Sequence, residues 1–150
     1  MHHHFERLYD YNDWANDLFC QKLAEIACKD GEILRLLSHV HNAQTIWLNR
    51  IMQVDKTHGV WEIYTLEECI AHIKSSSQAW KLWLKDQKDF DRKVAYKNSI
   101  GKSYVMDLAD IVIHVANHST HHRGQIATLL RQQSIDPPKA DFYYFALLEE

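Results

Sequence analysis

The chain predicts an all-α fold with one irregular interruption, and three observations carry that expectation. Only 4 glycines and 2 prolines punctuate the 150 residues, so long windows run without a helix breaker. Apolar residues recur at three- and four-residue spacing through those windows, which is the period of a helix with one buried face. The run Thr65-Leu66-Glu67-Glu68 has the form of a capping box, the start signal of a helix.

The first helix is expected from about Phe5 to Cys28, with Leu8, Tyr11, Ala15, Leu18 and Ile26 near helical spacing and Lys29-Asp30-Gly31 as its stop. A second, from about Gly31 to Val54, carries Ile33, Leu36, Leu37, Val40, Ala43, Trp47 and Ile51 as an inward stripe. Thr57-His58-Gly59 reads as loop. The third helix begins at the Thr65 cap and runs to about Asp86. Between Phe90 and Met106 the helical pattern fails, and Val94, Tyr96 and the Asn98-Ser99-Ile100-Gly101 cluster predict a small hairpin or irregular crossover. The fourth helix, about Asp107 to Gln133, stops before Ile135-Asp136-Pro137-Pro138, where paired prolines forbid continuation. An aromatic tail, Phe142-Tyr143-Tyr144-Phe145, is expected to fold back on the helices. No repeat, linker or low-complexity segment divides residues 1–150, so one domain is expected.

Hydrophobic residues make up 46% and charged residues 25%, ordinary values for a globular protein, and disorder is disfavoured. A formal net charge of −3 gives no reason to expect a nucleic-acid or membrane-surface partner, since both need a basic excess. No apolar run is long enough to span a bilayer and no signal peptide is visible, which makes the cytoplasm the expected location. Cys20, Cys28 and Cys69 form no CxxC pair and fall on helical segments, as packed, reduced thiols do. The compositional excess is histidine, at 11 residues. His2, His3 and His4 directly follow Met1 and are set aside as a terminal run of the kind a mobile end carries.

His114, His118, His121 and His122 share the fourth helix. Imidazoles four residues apart stand above one another on one helical face, close enough to share an ion. Leu108, Ile111, Val112, Val115, Ile126, Leu129 and Leu130 define the apolar stripe; His122 falls inside it, His118 on its flank, and His114 and His121 further round. A buried imidazole must be hydrogen-bonded or coordinated. Core histidines bonded to carbonyls, Asn117 or Gln125 therefore stand level with metal ligands. Metal sites among packed helices draw ligands from facing elements, and the second helix offers His39 and His41. They flank its stripe on opposite sides, so periodicity leaves both open.

Asn117-His118-Ser119-Thr120-His121-His122-Arg123-Gly124-Gln125 resembles the NHxxHHRGQ signature of the DinB/YfiT-like family. Tyr11-Asn12-Asp13-Trp14-Ala15-Asn16 is similar to the family's YNxWAN opening, and Pro137-Pro138 followed by Asp141-Phe142 to its tail. The resemblance implies a four-helix bundle of up-down-down-up order, frequent homodimers, and metal ligands at His118 and His122. It also implies a third ligand at His39, eight residues before Trp47, a placement that His41 does not match.

Three neutral imidazoles leave an ion its full charge and at least one open coordination position, the pattern of a reactive rather than a structural site. Such donors suit zinc or nickel first, with iron, copper or manganese also admissible. Relatives in the wider superfamily transfer low-molecular-weight thiols, so the resemblance implies S-transfer from bacillithiol, mycothiol or glutathione to an electrophile. Metal-assisted hydrolysis is the enzymatic alternative, and a non-catalytic metal-binding stress-response protein is the alternative of another class. Arg123 and Gln125 are candidates to orient a ligand or to serve the fold alone, and Gly124 is read as allowing close helix approach. Trp14, Trp47 and Tyr11 are assigned to the core, and His58 and His72 to the surface.

Overall fold

The computed structural model describes residues 2–56 and 59–148. It is mostly helical, with five helices and one small sheet, in the order α1 (His2–Glu25), α2 (Gly31–Met52), α3 (Leu66–Asp86), β1 (Lys93–Lys97), β2 (Ser103–Asp107), α4 (Leu108–Gln132) and α5 (Phe142–Leu147). The expected loop at Thr57 and His58, and the surface assignment of His58, lie outside the described residues. No described helix is long and apolar enough to cross a membrane.

Local chemistry sets the boundaries. Helix α1 ends when Ala27 takes a left-handed φ of 47° and the Cys28 amide turns back to the Leu23 carbonyl at 3.0 Å. Asp30 and Gly31 therefore open α2 instead of stopping α1. The Asp30 carboxylate accepts from the Glu32 and Ile33 amides at 2.9 and 3.1 Å. The Thr65–Glu68 capping box forms as expected, with the Thr65 amide donating to Glu68 Oε2 and the Glu68 amide to Thr65 Oγ1. The predicted interruption is an antiparallel hairpin in which Val94 faces Met106 and Tyr96 faces Tyr104. Its turn needs Gly101 at φ 82°, and Asn98 Oδ1 accepts from the Ile100 and Lys102 amides. Helix α4 ends at Gln132, and Ser134 turns the chain away at a left-handed φ of 59° before the prolines are reached.

Helix α1 packs on α3 and α4, and α2 packs on the same two. The buried apolar residues form two clusters. Phe5, Tyr9, Leu48, Trp80, Leu84 and Ile111 lie in one, and Phe19, Leu23, Ile33, Leu37, Ile73 and Ile126 in the other. A buried polar layer divides them. Gln44 donates to Ser76 Oγ at 2.7 Å and accepts from Asn12 at 3.0 Å and Asn16 at 3.4 Å. Arg123, 4% exposed, donates to Asn12 Oδ1 at 2.8 Å, Asn16 Oδ1 at 2.6 Å and Thr120 Oγ1 at 2.9 Å. This layer corrects the expected α1 stripe: Asn12 and Asn16 are buried while Leu8, Leu18 and Ile26 are only half-buried. The inward face is rotated because Arg123 requires acceptors.

The aromatic tail folds back as α5, with Phe142 and Phe145 against Tyr11 and Phe145 against Trp14. Tyr11 is buried, while Trp14 and Trp47 are half-buried. One further expectation is overturned, and the terminal histidines set aside in the sequence take a place in the fold. His2, His3 and His4 belong to the first turn of α1, where His2 bonds the Leu84 carbonyl at 2.8 Å. A Cβ on Gly124 would meet nothing within 4 Å, so this glycine mediates no close helix approach.

Candidate metal centre

The centre is built at the polar layer by α2 and α4. His39 and His122 are each 7% exposed, and His118 is half-buried between them. Their Nε2 atoms converge: His118 Nε2 lies 3.1 Å from His39 Nε2 and 3.1 Å from His122 Nε2. All three ligand atoms fall within 4.8 Å of one another, a grouping that could hold a metal ion. Two imidazole nitrogens bound at about 2.0–2.1 Å to one ion lie about 3.0–3.4 Å apart.

The opposite nitrogens define the tautomers. His39 Nδ1 faces the Val60 carbonyl at 2.9 Å, and a carbonyl only accepts, so this nitrogen carries the proton and Nε2 presents a lone pair. His122 Nδ1 donates in the same way to Gln125 Oε1 at 2.7 Å. Two lone pairs thus point at His118 Nε2. A proton there can satisfy one of them, and the other is left facing nitrogen. Placed on His118 Nδ1 instead, the proton is buried without an acceptor, because that atom has no hydrogen-bond partner among the described residues. A proton on His118 Nε2 serves only one of the two facing lone pairs, whereas one cation takes all three Nε2 lone pairs and leaves the His118 proton on Nδ1. The donor set therefore fits a divalent ion, and the bonds to Val60 and Gln125 are the orienting contacts that ligating histidines usually make.

The electrostatics agree. Burial, then the imidazoles of His122 and His39, hold the His118 pKa down at about 3. Burial also lowers His39, assisted by Arg35, and lowers His122. The rings are neutral at physiological pH, as coordination requires.

Two residues that the sequence did not bring forward complete the surroundings. Trp61 stacks on the His39 ring at 3.7 Å and 9°, while the Arg35 guanidinium lies 4.4 Å from the indole on its way to a two-point pairing with Glu32. Trp61 is 47% exposed and forms an outer wall of the centre. It lies between helical windows, where periodicity carries no information.

The remaining candidates separate cleanly. His41 is buried on the α3 side of α2, with Nδ1 3.2 Å from Ser76 Oγ. His72, expected at the surface without a partner, stacks on His41 at 4.8 Å and meets Tyr64 edge-on. His114 contacts Trp47 and the His118 ring, and His121 is exposed beside His122. Gln125 orients His122, while Arg123 faces α1 and serves the polar layer. The three cysteines are buried and unpaired, and burial pushes the Cys20 thiol up to about 12 and raises Cys69. These two do not supply a thiolate near neutrality.

Two comparisons with known proteins bear on this arrangement. The model of the DinB family matches residues 1–149. Protein DinB of Bacillus subtilis (strain 168) is 23% identical over 154 residues, covering 91% of this chain and 90% of that protein.

Proposed function

We propose that this chain, which belongs to the DinB family, is a metal-dependent thiol S-transferase whose divalent ion is held by His39, His118 and His122. The observation that carries the reading is the convergence of three neutral Nε2 atoms whose facing lone pairs one proton cannot all serve. Zinc or nickel suits such a donor set best. An ion held by three imidazoles keeps its charge and an open position, and so lowers the pKa of a thiol or water that reaches it.

The chain's own residues hold and shield that position. Val60 and Gln125 keep the His39 and His122 protons on Nδ1, which keeps the Nε2 lone pairs directed inward. Trp61 covers one face of the His39 ring. Because the Cys20 and Cys69 thiols are buried and hard to ionise, the sulfur nucleophile is supplied by a small-molecule thiol such as bacillithiol or glutathione.

Packing contacts support a one-domain four-helix bundle of up-down-down-up order. Ser38 meets Cys69 and Gln44 meets Trp80, so contacts advance together along α2 and α3. Tyr9 meets Val112 and Asn16 meets Arg123, so α1 and α4 also run the same way. His39 meets His122 while Trp47 meets His114, so α2 and α4 are opposed. The homodimer and the cytoplasmic location belong to the same proposal.

The test compares metal-free protein, metal-loaded protein and His122→Ala for attack of bacillithiol or glutathione on epoxide and aryl-halide acceptors. Product formation should track metal occupancy. Metal-dependent ester or amide hydrolysis without thiol transfer would move the assignment to a hydrolase, and metal binding without turnover of either kind would leave a metal-binding protein.

A further inference from the structure

A second site is built beside the three-histidine centre by the C-terminal half of α2 and the hairpin. A cavity of about 530 Å³ is lined there by Arg50, Lys56 and Lys97, with Asp55 as its single carboxylate. That volume lies within the range of small-molecule sites. Asn49, Asn98 and Ser99 add polar groups to the wall.

Arg50 is the focus. Its guanidinium lies against two rings, 4.6 Å from Trp47 and 4.8 Å from Tyr96, and it makes no ion pair or hydrogen bond among the described residues. Tyr96 and Trp47 themselves meet edge-on at 5.0 Å, so α2 and β1 together fix the arginine. The last carbonyls of α2 do not occupy it, because the Asn49 and Arg50 carbonyls already accept from the Val54 and Gln53 amides. Cation–π contacts compensate a guanidinium only in part, and its planar fork of donors stays available for two-point binding of a carboxylate or phosphate. Asn49, also in the wall, has its Nδ2 buried and without a hydrogen-bond partner among the described residues. An arginine without an acceptor, in the wall of a cavity of positive balance, defines a site for an anion.

We propose that this cavity binds an anionic small molecule, whose carboxylate or phosphate group is taken by Arg50 with Lys97 and Lys56. Val60 lines the cavity and its carbonyl also accepts from His39, so the bound anion lies next to the three-histidine centre. Under the S-transfer reading, on which this last step alone rests, the occupant is the anionic part of the thiol or of its acceptor.

The experiment reads binding directly, in metal-free protein at constant ionic strength. Backbone amide spectra are followed by NMR while inorganic phosphate, or S-methylglutathione with its sulfur blocked, is added. Saturable shifts confined to residues 49–56 and 95–99 are expected with at least one probe. Saturation by phosphate assigns a phosphate group, and saturation by S-methylglutathione alone assigns a carboxylate. Arg50→Gln should weaken binding at least tenfold and the exposed Lys97→Gln about threefold, while His122→Ala should leave it unchanged. Because Arg50 also pins the hairpin, Lys97→Gln guards against a folding artefact. The proposal is overturned by the absence of saturation with both probes, or by undiminished binding in both cavity variants. Neither result depends on a metal, so failure here is distinct from failure of the metal reading.

Discussion

Replacing Asn16 by alanine should destabilise the protein far more than loss of a surface amide. Asn16 Oδ1 accepts from Arg123 Nη1 at 2.6 Å, and Arg123 is 4% exposed and enters no ion pair among the described residues. A hydrogen bond to a charged group contributes about 1.5–3 kcal/mol, and leaving a buried charged donor unpaired adds to the loss. Asn16→Ala is therefore expected to cost about 2–4 kcal/mol, which for a chain of this size lowers Tm by about 5–12 °C. The cause can be isolated with a double-mutant cycle in urea. In an Arg123→Met background the charge is gone, and Asn16→Ala should then cost less than about 1 kcal/mol. Coupling of about 1.5–3 kcal/mol is the expected result. Additive costs would refute the assignment of Arg123 as the residue that fastens α4 to α1 next to His122.

Three other outcomes follow. Unfolded His118 titrates near 6.5, whereas burial and the adjoining imidazoles hold the folded ring at about 3; below pH 6.5 the unfolded state binds the extra proton, so the metal-free protein should lose stability as pH falls from 6.5 towards 3. Urea midpoints across that range should fall less steeply in His118→Gln, and an identical slope would show that the ring is not responsible. Trp61→Ala removes an aromatic stack of about 0.5–1.5 kcal/mol from a ligand ring, so metal affinity by chelator competition should drop about 3–10-fold, with Trp61→Phe between variant and wild type; unchanged affinity would mean that the stack does not position His39. His41→Ala should lower Tm through the lost contact with Ser76 and leave metal affinity unchanged, the reverse of His39→Ala.

Sequence periodicity located the helices well because four apolar faces meet one another, and the Thr65 capping box is a local signal that needs no tertiary information. It misplaced the inward face of α1 because Asn12 and Asn16 are polar by type and buried only in answer to Arg123, more than 100 residues away in sequence. The same blindness hid the His41–His72 stack, whose partners come from different helices. The candidate site divided along the same line. The four-residue spacing of His118 and His122 is visible within one helix, while the choice of His39 over His41 came from family resemblance. The structure places His39 on the α4 side of α2 and His41 on the α3 side. Trp61, Val60 and the Arg50 cavity depend on loop and hairpin positions for which no periodic signal exists.

The most direct test of the metal centre is elemental analysis after complete chelation and reloading with zinc or nickel, using a chain in which His2, His3 and His4 are replaced so that they cannot contribute. One equivalent per chain is expected in that background, falling to a small fraction when His39, His118 or His122 is changed to alanine and staying at one equivalent for His41→Ala, His114→Ala and His121→Ala. Full occupancy in all three ligand variants, or no tight binding of either ion before substitution, would contradict the account.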